Sequence, residues 1–422
     1  MIVETECPAC GTALTSLPEA EPWCGSCEWN LDLFLPDPSQ GRMGRRIGRA
    51  QHRAGFRSDL LLALSTADTP VTRGPHRALL AVSALLMAVV VAAFVTGAWL
   101  IAVHDSFLLV LLGLVVLGVG AAFRPRFGRL KPLLEHGYRI EPGDAPAVHG
   151  LIDRVAASLD VPAPDVVILD SAFSAGVATV GLRRRRVLVL GVPLLLALRP
   201  QQVVALIGHE LGHLKYDDNR RALLTQPART TFGRLSNMVR PHPRLLENGT
   251  LTPPIRLLIH LVGGTVSWLL WGVHVGLNTL AKGDDRRVEL RADAMSARAA
   301  GTTAALETLD VLAMLPSVTH YVTNSHVPEG EAATKWRGFL RVVQDREAET
   351  ASAWRQLSIR TRVSLFASHP APGRRHQWLS GQPVQEATVV PNEAESARIE
   401  QEIAPYAEAM HRTMLDAAPW RH

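Results

Sequence analysis

His209-Glu210-Leu211-Gly212-His213 is the stretch on which the fold turns. Histidines four apart on a helix share one face, one turn from each other, so both imidazoles can reach a single ion. Glu210, beside the first of them, is placed to act as general base on a water held at that ion. The flanking chain reads as a helix. Arg199-Pro200 opens it, proline fits a first turn, and Val203, Val204, Leu206, Ile207 and Leu211 supply its apolar face. Catalytic zinc takes three protein ligands and keeps one position for water, whose pKa falls to about 7. A third ligand must come from another segment.

Downstream, Arg287-Val288-Glu289-Leu290-Arg291-Ala292-Asp293-Ala294 reads as a second helix, rich in alanine as it continues. Glu289 and Asp293 are again four apart. One carboxylate can bind the ion, and the other can hold a ligating histidine by its free ring nitrogen. The plain alternative is surface pairing with Arg286, Arg287 or Arg291. Upstream, Val166-Val167-Ile168-Leu169 suits a buried strand. Val177–Val180 and Val187–Leu190 flank Gly181-Leu-Arg-Arg-Arg-Arg186, which reads as a hairpin with a solvated basic tip. A strand edge near the histidine helix would pair with an extended peptide.

All four cysteines fall in the first 27 residues, as Cys7-Pro-Ala-Cys10-Gly11 and Cys24-Gly25-Ser-Cys27. Two C-x2-C knuckles complete a tetrahedral four-thiolate zinc site, with Gly11 and Gly25 easing the turns. Four thiolates leave no open position, so this zinc is structural. Four cysteines in 422 residues also exclude a disulfide-dense scaffold.

The first 35 residues carry six acids and no Lys or Arg. Residues 36–77 carry eight arginines against three aspartates. Two uncharged apolar runs follow, Ala78–Val103 and Phe107–Phe123, joined by His104-Asp105-Ser106. Both are long enough to cross a bilayer, so the pair reads as a transmembrane helical hairpin. Arg73 and Arg77 precede it, and Arg124, Arg126, Arg129 and Lys131 follow it. The positive-inside rule puts both flanks in the cytoplasm. No signal-peptide pattern precedes the head. A third apolar stretch, Leu257–Ala281, lies between the two candidate ligand helices. A single crossing would part residues that must meet at one ion. A re-entrant or surface-lying helical pair, broken near Gly263 and Gly264, is therefore expected.

Four blocks together resemble the M48 metallopeptidases, which include the HtpX-type membrane proteases and the CAAX prenyl endopeptidases. His209–His213 with trailing Asp218 is similar to the family's H-E-x-x-H helix. Glu289-Leu-Arg-Ala-Asp293 is similar to its E-x-x-A-D helix. Ser368-His369-Pro370 with Arg375 is similar to its late His-Pro block, and Ser171-Ala172-Phe-Ser-Ala-Gly176 to its N-A-F segment. The resemblance implies His209, His213 and Glu289 as zinc ligands and Glu210 as catalytic base. It implies His369 as a catalytic hydrogen-bond donor to the transition state, and Asp293, Asp218 and Arg375 as groups supporting the ligands. It implies Ser171 and Ala172 as substrate contacts. The family carries Asn where this chain has Ser171, whose hydroxyl reaches less far.

The expected fold is α+β and mostly helical. It comprises a zincin-type metallopeptidase domain with a small β-sheet, a transmembrane hairpin and an N-terminal zinc ribbon. The expected domains are the ribbon (1–35), a basic juxtamembrane linker (36–77), the hairpin (78–123), the peptidase domain (124–391, with 257–281 membrane-associated) and a polar helical tail (392–422). The expected cofactors are two Zn²⁺ ions, one catalytic and one structural. The expected partners are protein or peptide substrates, the lipid bilayer and a protein bound by the ribbon. The acidic ribbon argues against nucleic acid. The expected protein is a multi-pass endopeptidase of the inner cell membrane, with the catalytic domain and N-terminus cytoplasmic. The competing reading is a non-catalytic membrane adaptor.

Overall fold

The structure, a computed structural model, describes residues 6–17, 20–36, 41–63, 73–124, 130–135, 137–181, 184–215, 218–241, 252–316, 319, 327–328, 330–347, 349–364, 366–367 and 369–416. Ser368, from the His-Pro block, lies outside them. The chain forms two compact units. One joins Met1–Thr69, Gly128–Asn219 and Asp285–His422, and the other joins Pro70–Phe127 and Arg220–Asp284.

The first unit is mostly helical around a small mixed sheet. Its strands are β1 (Gly137–Ile140), β2 (Val166–Asp170), β3 (Ala175–Val180) and β4 (Arg185–Gly191), in the order β1-β2-β4-β3. β2 and β4 run parallel, and the outer pairs are antiparallel. Val166–Leu169 of β2 is buried on both faces, as its unbroken apolar run requires. β3 and β4 form the expected hairpin, and β3 is the sheet's edge on the far side from β1. Helix α5 (Pro146–Leu159) starts on a proline and buries Val148, Leu151, Ile152, Val155, Ala156 and Leu159, a helical spacing. It ends at Asp160, whose φ of 55° is left-handed.

The histidine helix, α7 (Pro200–Lys215), follows the short α6 (Val192–Ala197) and is buried along nearly its whole length. Against it packs the C-terminal part of α9 (Pro253–Ala300). The core is closed by α10 (Thr302–Ala313), α11 (Ala332–Glu347), α12 (Ala351–Thr361), α13 (Pro372–Ser380) and α14 (Glu393–Asp416). Trp336 of α11 is fully buried there. The expected polar tail is α14, and it is part of this core. Ile399, Ile403, Ala407 and Met410 repeat at helical spacing and are buried. Glu402 also accepts the free N–H groups of Ala147 and Val148 at the start of α5, both at 2.9 Å. Its surface charges masked this inner stripe.

The four-cysteine head belongs to the same unit and has its own small core of Leu17, Trp23, Leu31 and Ala353. Helix α1 (Arg42–Ala63), the expected linker, docks through Asp59, which pairs with Arg286 of α9 at 2.6 Å with both side chains buried.

The second unit holds α2 (Arg73–Val103), α3 (Phe107–Phe123), most of α8 (Asp218–Val239) and the N-terminal part of α9. α2 and α3 form the expected helical hairpin. A Cβ on Gly97 would lie 2.9 Å from the Gly113 carbonyl oxygen, and one on Gly113 the same distance from that of Gly97. The two glycines thus let the backbones touch. Leu257–Ala281 is not broken at Gly263 or Gly264 but lies within the unbroken 48-residue α9. Gly263 serves packing, since a Cβ there would meet the Val239 carbonyl oxygen at 2.9 Å. The return leg that the chain needs is α8, too polar to read as such. It runs antiparallel to α9 through Ser236–Ser267 and Asn278–Arg229 hydrogen bonds.

Gly191 ends β4 under the 171–174 segment. A Cβ there would lie 1.8 Å from the Ala172 carbonyl oxygen and 2.6 Å from that of Ser174. Gly191→Ala is expected to destabilise the chain by about 1–3 kcal/mol, as overpacking against fixed backbone does. Denaturant titration followed by circular dichroism reads the loss as a lower midpoint.

Candidate metal centre

The centre is built where α7 crosses α9. Gly208 and Gly212 face Ser296, Ala299, Ala292 and Met295, and a Cβ on Gly212 would sit 3.0 Å from the Ala292 Cα. The Ser296 hydroxyl donates to the Ala205 carbonyl at 2.8 Å and locks the register. α7 contributes no side chain there, so α9 approaches closely and neighbouring side chains of the two helices can meet. These are His209 and His213 of α7 and Glu289 and Asp293 of α9.

His209, His213, Glu289 and His369 each offer a ligand atom, and all four atoms lie within 4.8 Å of one another. Nε2 of His209 is 3.6 Å from Glu289 Oε2, and Nε2 of His213 is 3.8 Å from Oε1. Ligands around a tetrahedral zinc at about 2.1 Å would stand about 3.4 Å apart. The donor set and its spacing therefore fit zinc. His369 Nδ1 is 2.7 Å from Glu289 Oε2, which places it inside the cluster. The sequence reading gave it only a role at the transition state.

Behind the ligands, Asp293 Oδ1 is 3.0 Å from His209 Nδ1, leaving Nε2 of that ring toward the cluster. Arg375 of α13 donates Nε to Asp293 Oδ2 at 2.9 Å and Nη2 to Oδ1 at 2.5 Å. Asp293 and Arg375 thus stand behind His209 in one chain of contacts. Asp218 opens α8, and its side chain lies outside the described residues.

Burial governs the protonation states. It pushes His209 and His213 down, toward the neutral form that binds a metal. It pushes the Glu210 carboxyl up, toward the range suited to a general base. At Glu289 burial works upward too, but the charge and hydrogen bond of His369 outweigh it and hold the carboxyl well below its usual range. The same contact raises His369 against the pull of burial.

Glu210, His209 and His369 face a cavity of about 290 Å³, whose walls include Phe173, Ser174, Ala175, Leu206, Leu309 and Leu312. The β3 edge thus begins at the cavity. Ser171 and Ala172 stand just before this wall, and the cavity is lined by the three residues after them. No spacing rule pointed to Leu309 and Leu312, since their helix carries no polar motif.

The second cluster is the cysteine quartet. Cys7 and Cys27 sulfurs are 3.7 Å apart, and Cys10 and Cys24 sulfurs 3.5 Å. Thiolates on one zinc at about 2.3 Å would stand about 3.8 Å apart. The Ala9 and Cys27 amides approach Cys7 and Cys24 sulfurs at 3.4 Å, which favours thiolates. Gly11 has a φ of 73°, as its knuckle needs, whereas Gly25 is small because Gln356 lies 2.9 Å from where its Cβ would be. These residues fit a structural zinc.

The profile of peptidase family M48 matches residues 142–382, more than half of the chain. A protease HtpX homolog of Moorella thermoacetica is 34% identical over 79 residues, which cover 19% of this chain and 26% of the relative. Protease HtpX homolog 2 of Methanosarcina mazei is 32% identical over 79 residues, covering 19% and 27%. The chain thus spans about a quarter of the length of these relatives. No solved structure matches the chain.

Gly212→Val leaves all ligands in place but forces α7 and α9 apart. Zinc affinity at the His–Glu cluster is expected to fall about 10- to 100-fold, as for lost ligand support. Competition with a chromophoric chelator measures it; unchanged affinity would mean that the close crossing does not set the site.

Proposed function

The chain belongs to peptidase family M48, and from that premise we propose that it is a membrane-anchored zinc endopeptidase cleaving membrane or membrane-proximal proteins on the cytoplasmic side. The observation that carries this reading is the convergence of His209, His213 and Glu289 ligand atoms, with His369, beside a cavity that Glu210 also lines. A zinc ion in that donor set supplies Lewis acidity toward a carbonyl oxygen and a water of pKa about 7.

The chain's own residues do the rest. An extended substrate pairs with the open edge of β3, with Ser171 and Ala172 at its rim, and so lies across the cavity. Phe173, Leu206, Leu309 and Leu312 receive an apolar side chain next to the scissile bond. Glu210, buried and raised in pKa, takes the water proton and passes it to the leaving amine. His369, whose pKa the Glu289 carboxylate raises against the pull of burial, donates to the oxyanion that develops at the carbonyl. Asp293 and Arg375 hold His209 in one tautomer throughout.

The membrane assignment rests on composition and exposure. Gly74–Val103 and Pro254–Ala300 contain windows apolar and long enough to cross a bilayer, and Phe107–Phe123 is a shorter apolar helix. Val95, Val103, Leu108, Leu258, Leu261 and Leu269 are large apolar side chains left exposed along these helices. A bilayer would cover them. The arginines flanking α2 and α3 support a cytoplasmic position for both ends of that hairpin. The intact ligand cluster with its base favours this reading over a non-catalytic adaptor.

Detergent-purified chain is expected to hydrolyse casein, with activity lost to a chelator and restored by zinc. Glu210→Gln should keep its zinc and lose activity by a factor of about 100 or more, the contribution of a positioned general base. Comparable cleavage by the Gln variant would sink the assignment of Glu210.

A further inference from the structure

Arg374 and Arg375 are neighbours on α13, and their side chains part by about 100° around the helix. Arg375 grips Asp293 at the metal centre. Arg374 points into the cysteine head, where it forks onto Glu28 at 2.5 and 2.6 Å. Its own side chain is only 1% exposed. The Glu28 side chain is 31% exposed, so the joint is rigid on the arginine side, where a buried guanidinium is held by a bidentate carboxylate fork.

Glu28 directly follows the ligand Cys27 and holds a φ of 60°. Residues other than glycine keep that conformation only where their surroundings impose it. The surroundings here are the Cys24–Cys27 knuckle, closed by a hydrogen bond from the Cys24 amide to the Trp29 carbonyl at 3.0 Å. Two further contacts fasten the head to α12. Trp23 Nε1 donates to Gln356 Oε1 at 2.7 Å, and Arg360 lies over the Trp23 ring and donates to the Glu21 and Asn30 carbonyls.

We propose that Glu28 and Arg374 form a positioning clamp through which the four-cysteine ribbon holds Arg375 against Asp293 and His209. In this arrangement metal loss from the ribbon weakens the distant His–Glu metal site. The inference rests on the reading of His209, His213 and Glu289 as metal ligands. It replaces the expected partner-binding role of the ribbon face by an internal one. Arg374 acts only through Arg375 and is a positioning residue.

Cobalt(II), loaded into the full chain in detergent, tests the clamp without turnover. Thiolate-to-cobalt charge-transfer bands report the ribbon, and the weaker d–d bands report the His–Glu site. Glu28→Gln should keep the thiolate bands and lower cobalt affinity at the His–Glu site about tenfold, the low end for lost outer support of a ligand. In the zinc-loaded enzyme the same variant should lower kcat and leave KM near wild type. Arg374→Lys should lose less than Arg374→Gln, since it keeps the charge but not the fork. Cys10→Ser, which opens the ribbon site far from Arg375, should weaken the His–Glu site as well. Unchanged His–Glu affinity in Glu28→Gln would overturn the clamp. If that variant does not fold, equal affinities in Arg374→Lys and wild type would do so. A wild-type chain that binds cobalt at both sites but cleaves nothing would refute the peptidase reading and leave the clamp standing.

Discussion

Everything at the centre depends on two helices meeting where one of them has no side chain to hold the other off. α7 offers Gly208 and Gly212 at the crossing, and α9 answers with Ala292, Ser296 and Ala299. A pair of ordinary apolar residues at such a crossing would keep helix axes 8–10 Å apart. With glycine and alanine there, His209 and His213, each one position beyond a glycine, come within reach of Glu289, three positions before Ala292. The H-E-L-G-H sequence is thus two patterns in one. Its histidines and glutamate are the candidate ligands and base, and its Gly212 brings the helix of Glu289 within reach.

The close approach has an electrostatic consequence. It buries Glu210, Glu289, Asp293, His209 and Arg375 in one small volume. Uncompensated charges there would be costly, so each carboxylate except Glu210 has a strong partner. Asp293 has the Arg375 fork and Glu289 has His369. For Glu210 burial is the dominant influence, and it is the carboxyl whose pKa rises. The three neighbouring acids are equally buried, so it is their partners that divide them: His369 and Arg375 hold Glu289 and Asp293 low, and Glu210, without such a partner, is raised.

The legible part of this design was the part with short spacing. His209 and His213, Glu289 and Asp293, and the two cysteine knuckles are each set by helical or turn periodicity within a few residues. The hairpin α2–α3 and the strands β2 to β4 were legible for the same reason. What depends on sequence-distant packing was not. Arg375 was legible by resemblance, but nothing local assigns Arg374 to Glu28 and Arg375 to Asp293. Residues 392–416 read as a polar tail because their charges outnumber the stripe Ile399, Ile403, Ala407 and Met410 that enters the core. His369 was legible as a donor by resemblance, but its 2.7 Å approach to Glu289 is a property of the folded chain.

The misjudged segment, between Lys215 and Glu289, shows where hydropathy fails as a guide. Its two ends approach one cluster, so a single crossing between them was excluded unless the cluster itself lay in the membrane. Only one apolar run was visible, which forced the expectation of a break at Gly263. The missing leg is α8, several of whose groups are hydrogen-bonded within its own unit. Ser236 donates to the Ser267 carbonyl, Asn278 donates to the Arg229 carbonyl, and Ser83 accepts from the Ala228 amide. Arg234 donates to the Ala122 carbonyl, one of the oxygens that the end of α3 leaves without a helical partner. A helix that closes its polar groups on its neighbours has no need of an apolar composition. It is betrayed by what it must accomplish topologically and not by its residues.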